Sequence, residues 1–244
     1  MNKAGIADFP VILVDEGLYL RMPTDQHNRF TSRTIFKFAS RHGQFGYVTG
    51  THNVHLSSTN DFRHREPHVS FFGAPRCVED EDGDLGPYDD GAVPDVVIQF
   101  SWRNKRGYEE DAIDEMMNDA VEIERGPKSV TCPRVGFLIK VRFKKKRTLQ
   151  NALKGSKTQD MGGLDLYRLP HGTTVDDAIN GTGGASKVTY VPGGPDHHID
   201  ITAQDLGFPG TPPVAWNGFQ IQMSRIFVEM DTYHKKRQQN LLAC

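Results

Sequence analysis

Apolar and polar residues recur along this chain with two different periods, and the changes of period mark out its elements. Ile139, Val141 and Phe143 fall on one side of an extended segment and Lys140 and Arg142 on the other, which predicts a strand over Arg134 to Phe143 with one wet face. Val93 to Phe100 is a nearly continuous apolar run bounded by Pro94 and Ser101, the pattern of a strand buried on both faces. Shorter extended segments are expected at Val11 to Leu20, with a turn at Asp15-Glu16-Gly17, and near Gly46-Thr49, Asn53-Leu56 and His68-Phe72. Helical spacing appears twice in the first half. Pro23-Thr24-Asp25 opens a helix to about Arg41, with Phe30, Ile35 and Phe38 on its apolar face and Gly43 as its stop. A second helix is expected from about Tyr108 to Glu122, where Ile113, Met116, Met117 and Ala120 share one face. Near the end, Gly218 to Met223 alternates as a strand and runs into a helix carrying Ile226, Phe227 and Met230.

That order predicts an α/β (α+β) protein, a central mixed sheet flanked by helices. Residues 154–196 are rich in Gly, Thr, Asp and Pro, with a short strand at Leu164, Leu166, Tyr167 and Leu169. The expected organisation is one domain over residues 1–244 with a loop-rich elaboration around 144–215. The apolar side chains Phe219, Ile221, Met223, Phe227 and Met230 are expected in the core or in a dimer interface.

Composition narrows the function. The 29 basic and 31 acidic residues give a net charge of −2, so bulk charge steers the chain neither to nucleic acid nor to anionic lipid. The apolar runs are too short for a membrane-spanning helix, and no secretory signal is visible at the start. Three cysteines without a paired motif argue against a disulfide scaffold and a structural zinc site. A soluble intracellular protein is expected, its compartment undefined.

Several motifs fail on chemistry. The acidic stretch 79–90 counts out wrongly for a calcium loop, since Leu85 and Gly91 stand where Gly and Glu are required. Gly181-Thr182-Gly183-Gly184 has no Gly-Lys-Ser/Thr behind it and is no phosphate loop. Among ten histidines, His64 and His68 share a face only if no turn intervenes, while His52 and His55, three apart, do not. His197-His198 sits in a loop. No Ser-His-Asp set can be placed, and neither Cys77 nor Cys132 has local support as a nucleophile.

Four segments in linear order carry a resemblance. Val14 to Thr24 with His27 behind it, Arg65-Glu66-Pro67-His68-Val69-Ser70-Phe71, Val93-Pro94-Asp95-Val96-Val97-Ile98-Gln99-Phe100-Ser101, and Gly218 to Phe227 together resemble the motifs of the Uma-type restriction endonuclease family, a branch of the PD-(D/E)xK nuclease superfamily. The resemblance implies a restriction-endonuclease-like fold. It also implies a divalent-metal site in which two carboxylates on neighbouring strands hold the ion against a phosphate. Here the first carboxylate position is His68 and the second is Gln99, so both anionic ligands are replaced. Asp95 matches a motif aspartate and is equally an ordinary turn residue after proline. The lysine expected behind the second strand has no clean counterpart: Lys105 is near, but the following segment offers Glu109, Glu110, Asp111, Asp114 and Glu115.

The catalytic and metal positions are therefore His68, Asp95 and Gln99, in degenerate form. Three functions stay open. One is a nuclease-fold pseudoenzyme serving as a binding or structural component, with a protein partner or a homodimer and no cofactor. Another is a metal-dependent endonuclease with a rearranged site and a divalent metal. The third is a nucleic-acid-binding module without catalysis, through Lys144, Lys145, Lys146 and Arg147 and the aromatic-basic stretch from Trp102 to Tyr108.

Overall fold

The computed structural model describes residues 11–14, 17–20, 25–50, 54–55, 64–65, 68–79, 85–87, 94–101, 133–144, 160–171, 173, 175–212 and 214–242. The first described residues form an antiparallel hairpin, β1 (Val11–Val14) and β2 (Gly17–Leu20), with Val14 paired to Gly17. Helix α1 (Asp25–His42) follows and ends where Gly43 begins a 3-10 turn.

Six strands then build the central sheet. They are β3 (Gly46–Thr49), β6 (Val69–Gly73), β9 (Val96–Ser101), β10 (Val135–Phe143), β11 (Met161–Pro170) and β12 (Ser186–Tyr190), in the spatial order β12-β11-β10-β9-β6-β3. The sheet is mixed, as the residue pattern predicts, because β9 and β10 run parallel while the other neighbours are antiparallel. A parallel pair needs a long crossover, usually through a helix. The helix expected over Tyr108 to Glu122 falls in that crossover, outside the described residues. Two short ladders, β4 (Val54–His55) with β5 (His64–Arg65) and β7 (Cys77–Glu79) with β8 (Leu85–Pro87), complete the first half.

The sheet buries both faces. On the first, Phe71, Ile98, Phe100, Phe137, Ile139 and Leu164 meet α1, the β13 (His198–Ile201) and β14 (Phe219–Gln222) hairpin, and α3 (Met223–Leu242). Phe38 is fully buried, with its ring edge-on to Phe71 and to Phe219, each at 5.3 Å, so one side chain joins α1, the sheet and the β14 hairpin. Phe219, Ile221, Met223, Phe227 and Met230 all belong to this core. On the second face Leu138, Tyr167 and Leu169 pack against Ala178 of α2 (Val175–Asn180) and Ala185.

The structure differs from the sequence pattern in residues 161–170. Instead of a short strand in a loop-rich elaboration, β11 is a ten-residue interior strand of the sheet. Gly162 and Gly163 read as turn residues, yet they serve the strand. The register passes from Arg142↔Gly163 to Phe143↔Met161, leaving Gly162 as the extra residue of a bulge. A Cβ on Gly163 would stand 2.3 Å from the Tyr190 carbonyl oxygen, so only glycine lets β12 approach this closely. The wet face expected of β10 is confined to its outer end, where Lys140 is half-buried and Arg142 exposed; Gly136 and Leu138 on the same face are buried.

Candidate functional site

The antiparallel register of β6 and β9 pairs Val69 with Ile98, so one step further brings His68 opposite Gln99. The two half-buried side chains meet: Nδ1 of His68 lies 3.0 Å from Oε1 of Gln99. The same ring nitrogen lies 3.2 Å from the Phe100 amide, so the two bonds are alternatives: Nδ1 donates to Oε1 when it carries a proton and accepts the Phe100 amide when it does not. Edge-on contact with Phe100 at 5.6 Å holds the imidazole plane, and Phe30 of α1 in turn packs edge-on against Phe100 at 4.7 Å. The two positions that the motif order singles out thus share one point of the sheet.

Asp95 does not join them. It stands four residues before Gln99 on the same strand path, roughly 13 Å away at the strand rise of about 3.3 Å per residue. Its side chain is fully buried. Oδ2 accepts the Gly73 amide at 2.9 Å and Oδ1 accepts Nε of Arg134 at 3.0 Å. Its backbone is equally engaged, donating to the Phe71 carbonyl and accepting from the Arg134 amide. Asp95 therefore ties the end of β6 to the start of β10. No ion can be shared between it and the His68–Gln99 pair at that separation.

A lysine that sequence spacing does not reveal stands near the pair. In the parallel register of β9 and β10, Leu138 is opposite Gln99 and Lys140 opposite Ser101, so Lys140 is one pleat along on the Gln99 face. Across the next strand Lys140 faces Asp165, a buried carboxylate that accepts the Thr189 hydroxyl at 2.7 Å and pairs with Arg142 and Lys187 at 3.8 and 3.7 Å. Only the three-dimensional register makes this row visible, because Gln99, Lys140 and Asp165 come from three strands.

The remaining expected positions fall on other elements. His55 and His64 are opposite each other on the β4–β5 ladder, and His27 lies in the first turn of α1. Lys144 follows β10, its ammonium 4.0 Å from Asp160, while Lys145, Lys146, Arg147, Trp102 and Lys105 are outside the described residues. Cys77 is half-buried, and burial, reinforced by the Asp95 charge against an opposing backbone contact from Tyr47, pushes its thiol up to about 11. At neutral pH it is a thiol, not a nucleophilic thiolate. Among the described residues no group of three His, Cys, Asp or Glu side chains converges as a metal cage, and no helix is long and apolar enough to cross a membrane.

A magnesium ion asks for hard, anionic oxygen. The His68–Gln99 pair offers an amide oxygen and an imidazole whose Nδ1 is already in contact with that oxygen and with a backbone amide. The residues present do not fit the ion.

No protein-family model matches the chain, and no curated protein matches it significantly. Among solved structures the chain is similar to one described as "a putative nuclease belonging to DUF820 from Anabaena variabilis ATCC 29413", at 9% sequence identity and a TM-score of 0.47, with 89% of each chain covered.

Proposed function

We propose that this chain is a nuclease-fold protein of the Uma type that has given up magnesium-dependent cleavage and acts as a binding or structural component. The observation that carries the reading is the contact between His68 and Gln99. An imidazole and an amide in direct contact, neither of them a carboxylate, occupy the adjacent strand positions where the resembling family places two carboxylates. Such a pair satisfies itself without an ion, whereas a carboxylate pair would demand one. Asp95, held between Gly73 and Arg134, supports the same reading, because its charge is used to join two strands.

The test is magnesium binding by calorimetry, alongside plasmid nicking with magnesium and with manganese. The expected result is no saturable magnesium binding and no nicking by the unmodified protein. Saturable magnesium binding with robust cleavage would overturn the proposal. It would promote the rearranged-site reading, for which Lys140, one pleat along from Gln99 on the same face, is the specific observation. A partner, whether a protein or a second copy of the chain, is part of the binding-component reading, and light scattering tests the second copy directly.

A further inference from the structure

Away from the His68–Gln99 pair, α1, the β13–β14 hairpin and the start of α3 enclose an open cavity of about 590 Å³. Phe30, which contacts Phe100, precedes the cavity residues Lys37 and Arg41 by seven and eleven positions. The helical rise therefore separates the two places by roughly 10–17 Å along α1. Lys37 and Arg41, four apart, present one face of α1 to the cavity, and Arg225 of α3 lines it as well. His42, His198 and Gln222 contribute further polar wall, and no carboxylate lines it among the described residues.

Among the described residues these cations are not neutralised. Arg33, one turn before Lys37, is paired with Glu229. Lys37, Arg41 and Arg225 make no ion pair among the described residues. The carboxylates in and beside the β13–β14 hairpin do not line the cavity and accept from neutral neighbours, Asp200 from the side chain of the wall residue Gln220. Asp196 accepts the Ser224 amide and hydroxyl at 2.9 and 2.6 Å, and Asp200 accepts the Gln220 amide at 2.7 Å. The strain of the arrangement registers on Lys37, whose ammonium is held below its ordinary value by burial first and then by Arg225, Arg33 and Arg41. A concave surface with one sign of charge concentrates counter-ions, and guanidinium pairs with phosphate oxygens through two parallel hydrogen bonds.

The wall also fixes a neutral donor. The Trp216 indole donates to Nδ1 of His42 at 3.0 Å, so neutral His42 carries its proton on Nε2. Burial, then Arg41, hold His42 below the usual histidine value and favour this form. A volume of this order suits a ligand the size of a small metabolite or mononucleotide.

We infer that this cavity binds a phosphate ester of about mononucleotide size, with Lys37, Arg41 and Arg225 on the phosphate and the amide side chains of the wall on the hydroxyl-bearing remainder. Its source is either a free nucleotide or the phosphorylated end of a strand, and the probes separate the two. The inference does not rest on the proposed loss of nuclease activity.

The experiment is titration of the full chain at low salt with inorganic phosphate, 5′-AMP, and a ten-residue oligonucleotide with and without a 5′-phosphate. Trp216 fluorescence is read in a Trp102→Phe background. AMP binding tighter than inorganic phosphate assigns the free nucleotide. Preference for the phosphorylated oligonucleotide over its unphosphorylated twin and over AMP assigns the strand end. In either case Lys37→Gln and Arg225→Gln should each weaken binding by about tenfold, the scale of a charge-assisted hydrogen bond. Lys235→Gln, whose ammonium pairs with Asp231 four residues earlier on α3, should leave binding unchanged. All three positions have exposed or half-exposed side chains, and circular dichroism checks that the variants fold. No saturable binding of AMP or phosphorylated oligonucleotide, or binding indifferent to both cavity substitutions, would overturn the inference.

Discussion

Removing the Arg134 side chain should expose how much of this fold depends on one buried charge. Asp95 has no solvent exposure, and its two oxygens accept from Gly73 and Arg134 at 2.9 and 3.0 Å. At an effective dielectric near 20, unit charges about 4 Å apart attract by about 4 kcal/mol. Breaking a buried pair by deleting one partner costs about 3–5 kcal/mol when the other charge is left stranded. The Arg134 side chain is 46% exposed, so water can reach part of the vacated space, and the Gly73 amide still faces the carboxylate. The expected cost of Arg134→Met, which keeps an aliphatic stem, is therefore about 2–3 kcal/mol. Asp95→Asn should cost less, about 1–2 kcal/mol, because the amide oxygen can still serve Gly73 while Arg134 turns to solvent. Urea unfolding of the two single variants and the double variant reads this out. With a slope of about 2–3 kcal/mol per molar, Arg134→Met should lower the midpoint by about 1 M. The double variant should be at least about 1 kcal/mol more stable than the sum predicts. An additive cycle, or a loss under about 0.5 kcal/mol for Arg134→Met, would refute the assignment of Asp95 to strand joining.

Phe38→Ala should destabilise by about 3–5 kcal/mol in the same assay, since it empties the junction of α1, Phe71 and Phe219. Cys77, with its thiol pushed from 9.0 to about 11, should hold about a hundredfold less thiolate at pH 8 than an unperturbed cysteine. Peptide-resolved alkylation should show correspondingly slow labelling until the chain is unfolded. His42 is held below the ordinary 6.5, so its folded form binds a proton less readily than its unfolded form. Its contribution to stability is present above pH 6.5 and lost as pH falls from there through the folded value, and His42→Gln should flatten that part of the stability profile.

What could be read from residue order was whatever had local periodicity. The Val96-Val97-Ile98 run marked β9, the spacing of Phe30 and Phe38 marked α1, and Phe219-Gln220-Ile221 marked β14. The strand at Leu164 to Leu169 was read, but the full length of β11 and its interior place escaped because it opens on Gly162 and Gly163, whose roles exist only once β10 and β12 flank them. Part of the site divided in the same way. His68 and Gln99 could be singled out by motif order, yet their direct contact follows from register. The Asp95–Arg134 pair joins residues 39 positions apart, and the cavity cations come from α1 and α3 at opposite ends of the chain. A net charge of −2 hides such a local concentration of positive charge, because acidic residues elsewhere balance it.

The chemistry of the His68–Gln99 pair makes a test of the proposed loss of a metal site possible. Two carboxylates at directly opposed positions of an antiparallel ladder, half-buried, repel each other unless a cation lies between them. An imidazole and an amide in contact at 3.0 Å carry no such carboxylate repulsion, so the strands pair without a cation between them. Installing two carboxylates should make the pairing depend on a cation. The double variant His68→Asp with Gln99→Glu should be less stable than the unmodified protein without metal, by about 1–3 kcal/mol, and either single variant should lose less, since one carboxylate alone faces no like charge. Added magnesium should recover stability in the double variant in proportion to its occupancy, and in the unmodified protein it should change nothing. Thermal melts with and without magnesium measure both effects. A double variant as stable as the unmodified protein in the absence of metal would refute the repulsion argument. One whose stability ignores magnesium while calorimetry shows no binding would show that the two positions, though adjacent, do not have the geometry of a metal site.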